Sequence, residues 1–193
     1  MTTLRRIVVV GTTGSGKSTL ARTLAQRLHV PHVELDALHW EPNWQQASPP
    51  VFRERTAQAL AGDAWIVDGN YSVVRDLTWG RADTIVWLDY SLPVILARLT
   101  RRTFWRLATR VELWNGNRER LRATLLTRDS ILVWALTTYR RRKRDYTRML
   151  TPPQPNFAHL TVVHLRSPRA TRRWLAELPL PTPNKTAAPG VIE

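Results

Sequence analysis

The chain alternates short apolar runs with stretches in which apolar residues recur every three or four positions, a succession of strand and helix signals. Residues 5–10 contain the uninterrupted run Ile7-Val8-Val9-Val10, the pattern of a strand covered on both faces in a parallel sheet. Leu20, Leu24 and Leu28 then share one face of a predicted helix over 18–28, which Val30-Pro31 ends. The reading continues with a strand at 32–36, a helix at 51–61, and strands at 64–68 and 84–89. Helices follow from Pro93 to about Arg110 and from Asp129 to about Met149, with the turn signal Asn115-Gly116-Asn117 between them. A last strand at 160–165 and a helix at 169–178 close the pattern. Residues 37–50, rich in Trp, Pro, Asn and Gln, read as a loop able to wall a pocket. Strands that alternate with helices predict an α/β fold built on a five-stranded parallel sheet between two helical layers.

The junction of the first strand and the first helix carries the chemistry. Gly11-Thr12-Thr13-Gly14-Ser15-Gly16-Lys17-Ser18-Thr19 has the spacing Gly, four residues, Gly-Lys-Ser. Glycines let the backbone turn its N–H groups onto an anion, and the helix beginning near Lys17 adds unpaired N–H groups and partial positive charge. The expected ligand is a nucleoside triphosphate, with Lys17 on the β- and γ-phosphates and the Ser18 hydroxyl on Mg²⁺. No Asn-Lys-x-Asp guanine signature occurs in the body of the chain, which favours ATP.

The following strands end in carboxylates, where ligands of parallel sheets bind. Glu34 and Asp36 stand two residues apart, on one side of the predicted strand. Asp36 is the candidate general base or orienter for an acceptor hydroxyl, and Glu34 a candidate for the Mg²⁺ or the acceptor. Asp68, followed by Gly69-Asn70-Tyr71, is the expected metal-side aspartate, with Gly69, Asn70 and Tyr71 facing the acceptor. Asp89 is its rival, but Tyr90-Ser91-Leu92-Pro93 after it reads as a helix entry and favours an N-cap. The loop holding Arg166, after the last strand, is the expected seat of the nucleotide base.

Charge changes the picture by its position. The net charge is +14, yet residues 1–95 are balanced, with nine basic and nine acidic side chains. Residues 96–148 hold fifteen basic and four acidic ones, nearly all the basic ones arginine, whose planar fork grips phosphate. This segment reads as a helical arginine-rich lid, an insertion at about 99–128, whose closure would exclude water and bring cations to a transferring phosphoryl group. Arg98 and Arg102 are the favoured catalytic arginines, and Arg118, beside the turn, a lesser one. Aromatic residues among the arginines, such as Trp105, Trp114 and Tyr139, equally suit stacked bases and phosphates, so a nucleic-acid-binding ATPase is the alternative. There is no cysteine, which excludes thiolate metal sites and cysteine nucleophiles and agrees with a cytoplasmic setting. No uncharged apolar run is long enough to span a membrane. Residues 1–178 are expected to form one domain, and the Pro-rich stretch 179–193 a disordered tail.

The order of these pieces resembles the nucleoside-monophosphate-kinase-like group of phosphate-loop proteins. Asp68-Gly69 resembles the Asp-Gly pair of adenylate kinases, and Arg98 with Arg102 resembles their lid arginines. Glu34-x-Asp36 resembles the paired acids of shikimate kinase, a likeness that implies acceptor contact for Asp36 and a place near the Mg²⁺ shell for Glu34. Three segments, Glu34–Trp40, Trp65–Tyr71 and Glu112–Arg118, look like those of adenylate-kinase-related proteins labelled DNA topology modulation proteins, which implies a role near DNA. The departures are specific: Asn70-Tyr71 replaces the aromatic, Pro and Arg that follow Asp-Gly in adenylate kinases, and acidic Glu34-x-Asp36 is a poor seat for an AMP phosphate. These resemblances imply transfer of the ATP γ-phosphate to a small acceptor, of nucleotide-kinase or small-alcohol-kinase type.

Overall fold

The structure, a computed structural model, describes residues 4–109, 112–117 and 131–178. The expectations for Arg110, Arg118, the lid tip at 118–128 and the tail at 179–193 lie outside the described residues.

Five strands form one parallel sheet: β1 (Arg6–Gly11), β2 (His32–Glu34), β5 (Trp65–Asp68), β6 (Thr84–Leu88) and β7 (Thr161–Leu165), in the order β2-β5-β1-β6-β7. The topology puts β1 at the centre. Its alternating side chains divide the core. Val8 and Val10 join Phe52, Trp65, Val67 and Trp87 on one face, while Ile7 and Val9 join Leu20, Leu24, Ile66 and Leu88 on the other. Full burial of side chains of this size is worth about 1.5–3 kcal/mol each, so both faces contribute heavily to folding.

Helices cover both faces. Helix α1 (Lys17–Leu28) lays Leu20 and Leu24 on the Ile7 face, with Ile95 of α5 (Leu92–Thr109) and Trp174 of α7 (Pro168–Glu177) beside them. Helices α3 (Pro49–Ala59) and α4 (Arg75–Thr78) cover the Val8 face with Phe52 and the neighbouring Trp79. The long helix α6 (Ile131–Leu150) serves both: Tyr139 packs on the Ile7 cluster, and Tyr146 and Leu150 enter the Val8 cluster.

Two sequence expectations are corrected here. The second strand stops at Glu34, and Leu35–His39 turns into the short helix α2, so Asp36 is helical rather than on the strand. Leu35 explains the turn: it is buried against Gly69, where any Cβ would sit 2.7 Å from the Leu35 Cβ. Gly69 has φ 142°, so its glycine serves this close approach. Residues 37–50 are also not a plain loop. Strands β3 (Trp40–Glu41) and β4 (Gln45–Gln46) form a small antiparallel hairpin whose turn holds Asn43 and Trp44 at positive φ.

Candidate active site

The phosphate loop leaves β1 as the sequence pattern requires. Gly14 and Gly16 take φ of 85° and 94°, a left-handed backbone that suits glycine, and Gly16 occupies the cap position of α1. The amides at the start of α1 therefore open into a cavity of about 820 Å³. Residues 13–19 line it, together with Glu34, Asp36, Arg98 and Arg102. The structure thus brings together most of the predicted site on one surface.

Lys17 is half-buried in the wall of this cavity, and its only described hydrogen bond is a long one, 3.4 Å, to the Thr12 carbonyl. Burial pushes its ammonium down to about 8, against the pull of Asp68 and Asp36. A desolvated cation in the wall of an amide-lined cradle is matched by a polyphosphate.

The Ser18 hydroxyl donates to Asp68 Oδ2 at 2.6 Å, and His32 Nε2 meets Asp68 Oδ1 at 2.9 Å. Hydroxyl and carboxylate side by side, next to a phosphate cradle, form the donor set Mg²⁺ uses when phosphates and water supply its other ligands. Among the described residues no cluster of three or more His, Asp or Glu forms a metal cage. His32 escaped the sequence reading. Its only signal is its place in the register of β2, two residues before the partner of Asp68, on the same side of the strand.

Glu34, expected near the metal or the acceptor, lines the cavity with both carboxylate oxygens hydrogen-bonded. Its Oε1 accepts from Arg22 Nη2 at 3.1 Å and its Oε2 from the Trp114 indole N–H at 3.0 Å. Both oxygens are held by other parts of the protein, and Glu34 becomes the anchor for the turn at Trp114.

Asp36 has a different environment. Its Oδ1 accepts a 2.6 Å hydrogen bond from the Tyr71 hydroxyl, and its Oδ2 has no hydrogen bond among the described residues. Burial raises the Tyr71 phenol far above its usual value, with Asp36 adding to the shift, so Tyr71 stays a donor. Tyr71 supports the candidate base, and Gly69 and Asn70 also act on the frame: Gly69 packs on Leu35, and Asn70 Nδ2 donates to the Gly11 carbonyl at 2.6 Å. These three do not line the main cavity, and Asn70 lines a second one.

Arg98 grips the phosphate loop itself, donating to the Ser15 carbonyl at 2.9 Å with its guanidinium 5.1 Å from the Tyr90 ring centre. Arg101, Arg102 and Arg106 follow along α5 in the cavity wall. Arg166 is exposed and lies outside that wall; Arg172, one turn into α7 beside Thr171 and Leu175, lines it instead. Asp89 is bound by Lys143 at 3.1 Å and by His164 at 3.0 Å, a buried tie between β6, α6 and β7.

The Trp114-Asn115-Gly116 turn is fastened to the hairpin. Asn115 Nδ2 donates to the Trp40 carbonyl, Asn117 Nδ2 donates to the Glu41 carbonyl at 2.9 Å, and the Trp44 N–H donates to Asn117 Oδ1 at 2.8 Å. Sequence reading marked the turn but not its partner, because the contact spans more than 70 residues.

Comparison with known proteins agrees with this architecture. The family model for shikimate kinase matches residues 13–61, from the phosphate loop through α3 and including Glu34 and Asp36. A shikimate kinase from Bacteroides thetaiotaomicron superposes with a TM-score of 0.51 at 15% identity, over 90% of this chain and 99% of that one. A gluconokinase from Sinorhizobium meliloti superposes with a TM-score of 0.50 at 20% identity, over 90% of this chain and 92% of that one. Among curated proteins none matches the chain in sequence. Fold, phosphate loop and partial family match together are those of a P-loop kinase.

Proposed function

We propose that the protein transfers the γ-phosphoryl group of ATP to a hydroxyl of a small acceptor. The observation that carries this reading is the placing of Asp36 and Lys17 on one cavity, with Tyr71 holding the carboxylate from behind. Lys17, the loop amides and Arg98 would bind the triphosphate. Ser18 and Asp68 would hold Mg²⁺, which when bound neutralises charge between the β- and γ-phosphates. Asp36 Oδ2 would orient the acceptor hydroxyl and take its proton as the O–P bond forms. Arg102 and its neighbours on α5 would face the charge of the transferring group, a role worth 10³–10⁵ in rate for a well-placed arginine.

A role near DNA, implied by the likeness to DNA topology modulation proteins, draws on the basic segment and on Phe104 and Trp105, each 58% exposed on α5. Arg101, Arg102, Arg106 and Trp105 all line the nucleotide-sized cavity, however, and that placement favours phosphoryl transfer. Among the described residues no helix is long and apolar enough to cross a membrane. The test is ADP release measured with magnesium and ATP against sugars, polyols, hydroxy acids, nucleotides and DNA. One class of small hydroxyl compound should raise turnover well above the rate with water alone. Stimulation by DNA and by no small compound would replace this reading with the alternative.

A further inference from the structure

A second cavity, of about 400 Å³, is walled by Asn70, Ser72, Arg75, Arg141, Arg142 and Tyr146. Three guanidinium groups meet there, and the one carboxylate among them, Asp145, is exposed on α6. The acid next to Arg75 in sequence is committed elsewhere: Asp76 takes two hydrogen bonds from Arg53, at 2.8 and 2.7 Å. Among the described residues neither Arg75 nor Arg141 forms a salt bridge. One side of the cavity is stiff, since Arg75 lies 5.1 Å from the Trp79 ring centre and Tyr146 stacks on the same ring. Burial, with Arg141 nearby, pushes the Arg142 guanidinium below its usual value. Arg75 and Arg142 are half-buried and Arg141 exposed, and like charges gathered in this way favour an anion in the cavity.

The cavity is tied to the transfer site through two consecutive residues. Asn70 stands in its wall and bonds the Gly11 carbonyl at the root of the phosphate loop. Tyr71 bonds Asp36. Arg142 is near enough to Asp36, Tyr71 and Lys17 for their charges to act on one another. The arginines of this cavity are therefore a set apart from those of α5 in the main cavity, with Arg142 within electrostatic reach of Asp36.

We infer that this second cavity holds an oxyanion carried by the acceptor, a carboxylate or a phosphate, gripped by Arg75, Arg141 and Arg142 while the acceptor hydroxyl reaches Asp36. The acceptor class is then a small hydroxy acid or a hydroxylated phosphate ester rather than a neutral sugar or alcohol. The role of the bound compound rests on the phosphotransferase reading; the binding of the anion does not. Asn70 and Ser72 add polar side chains to the wall, and a fork of guanidinium groups suits either oxyanion.

The test is calorimetry on the full chain saturated with magnesium and a non-hydrolysable ATP analogue, so that the phosphate loop is filled. Glycerate, glycerol 3-phosphate and glycerol share a three-carbon hydroxyl frame and serve as probes. At least one anionic probe should bind tenfold or more tightly than glycerol, and the stronger of the two identifies the acceptor's oxyanion. Arg142→Ala and, independently, Arg75→Gln should each remove tenfold or more of that preference while analogue affinity stays within twofold. Equal binding of all three probes, or a preference untouched in whichever variants fold, would overturn the inference. Because no turnover is read, absence of ADP release would count against the phosphotransferase reading and leave the anion result standing.

Discussion

The Tyr71 hydroxyl and Asp36 Oδ1 lie 2.6 Å apart, joining the segment after β5 to the short helix after β2. The bond fixes the carboxylate that faces the phosphate loop and leaves its second oxygen for a substrate. Tyr71→Phe removes only the donor. A hydrogen bond to a charged group is worth about 1.5–3 kcal/mol, so kcat for the best acceptor should fall roughly 10- to 100-fold. Nucleotide affinity should hold within twofold. Steady-state ADP release beside calorimetric nucleotide binding checks this, and an unchanged kcat would remove Tyr71 from the machinery.

Lys17 makes nucleotide binding pH-dependent. Its ammonium is held down to about 8 by burial in the free protein, and a bound triphosphate must raise it. Nucleotide binding near pH 8 should therefore take up protons, and affinity should decline as pH rises through 8 and beyond. For folding the sign is opposite. The unfolded chain binds the Lys17 proton more tightly, so this residue disfavours the folded state below pH 8, and the penalty fades as pH rises toward 10.5. Calorimetry in buffers of different ionisation enthalpy measures the proton uptake directly; none between pH 7.5 and 9 would contradict the assignment.

Asn117 holds the Trp114 turn on the β3–β4 hairpin. It is 4% exposed, donates to the Glu41 and Trp114 carbonyls at 2.9 Å and accepts from the Trp44 N–H. Asn117→Ala removes three part-buried hydrogen bonds, each worth about 0.5–1.5 kcal/mol. Hydrogen exchange at residues 112–117 and 40–46 should quicken by at least tenfold, with nucleotide affinity unchanged. Exchange confined to wild-type rates would mean that the turn is held by other contacts.

Much of this was legible in the chain. The β-branched run before Gly11 and the Gly-Lys-Ser spacing specify strand, loop and helix locally, and the parallel sheet follows from alternating patterns. Lys17, Asp36, Arg98 and Arg102 were placed together because each stands at a strand end or on a helix next to the phosphate loop. The misreadings share a cause. The partners of Glu34, Arg22 and Trp114, were not legible because they are fixed only by tertiary packing. Asn70 bonds a carbonyl 59 residues away, and Arg172 lines the cavity where Arg166 does not. Local patterns carry no information on contacts of that range. The second strand was drawn too long because Leu35 and Asp36 suit either state, and burial of Leu35 against Gly69 decides for helix.

The fate of the γ-phosphoryl group tests the account most directly. With ATP labelled at that position and the acceptor that best stimulates ADP release, the label should appear on an acceptor oxygen, one ester formed per ADP. Asp36→Asn should abolish the ester while binding ATP within about twofold of wild type. Label recovered only as inorganic phosphate, whatever small hydroxyl compound is present, would contradict phosphoryl transfer as the work of this site.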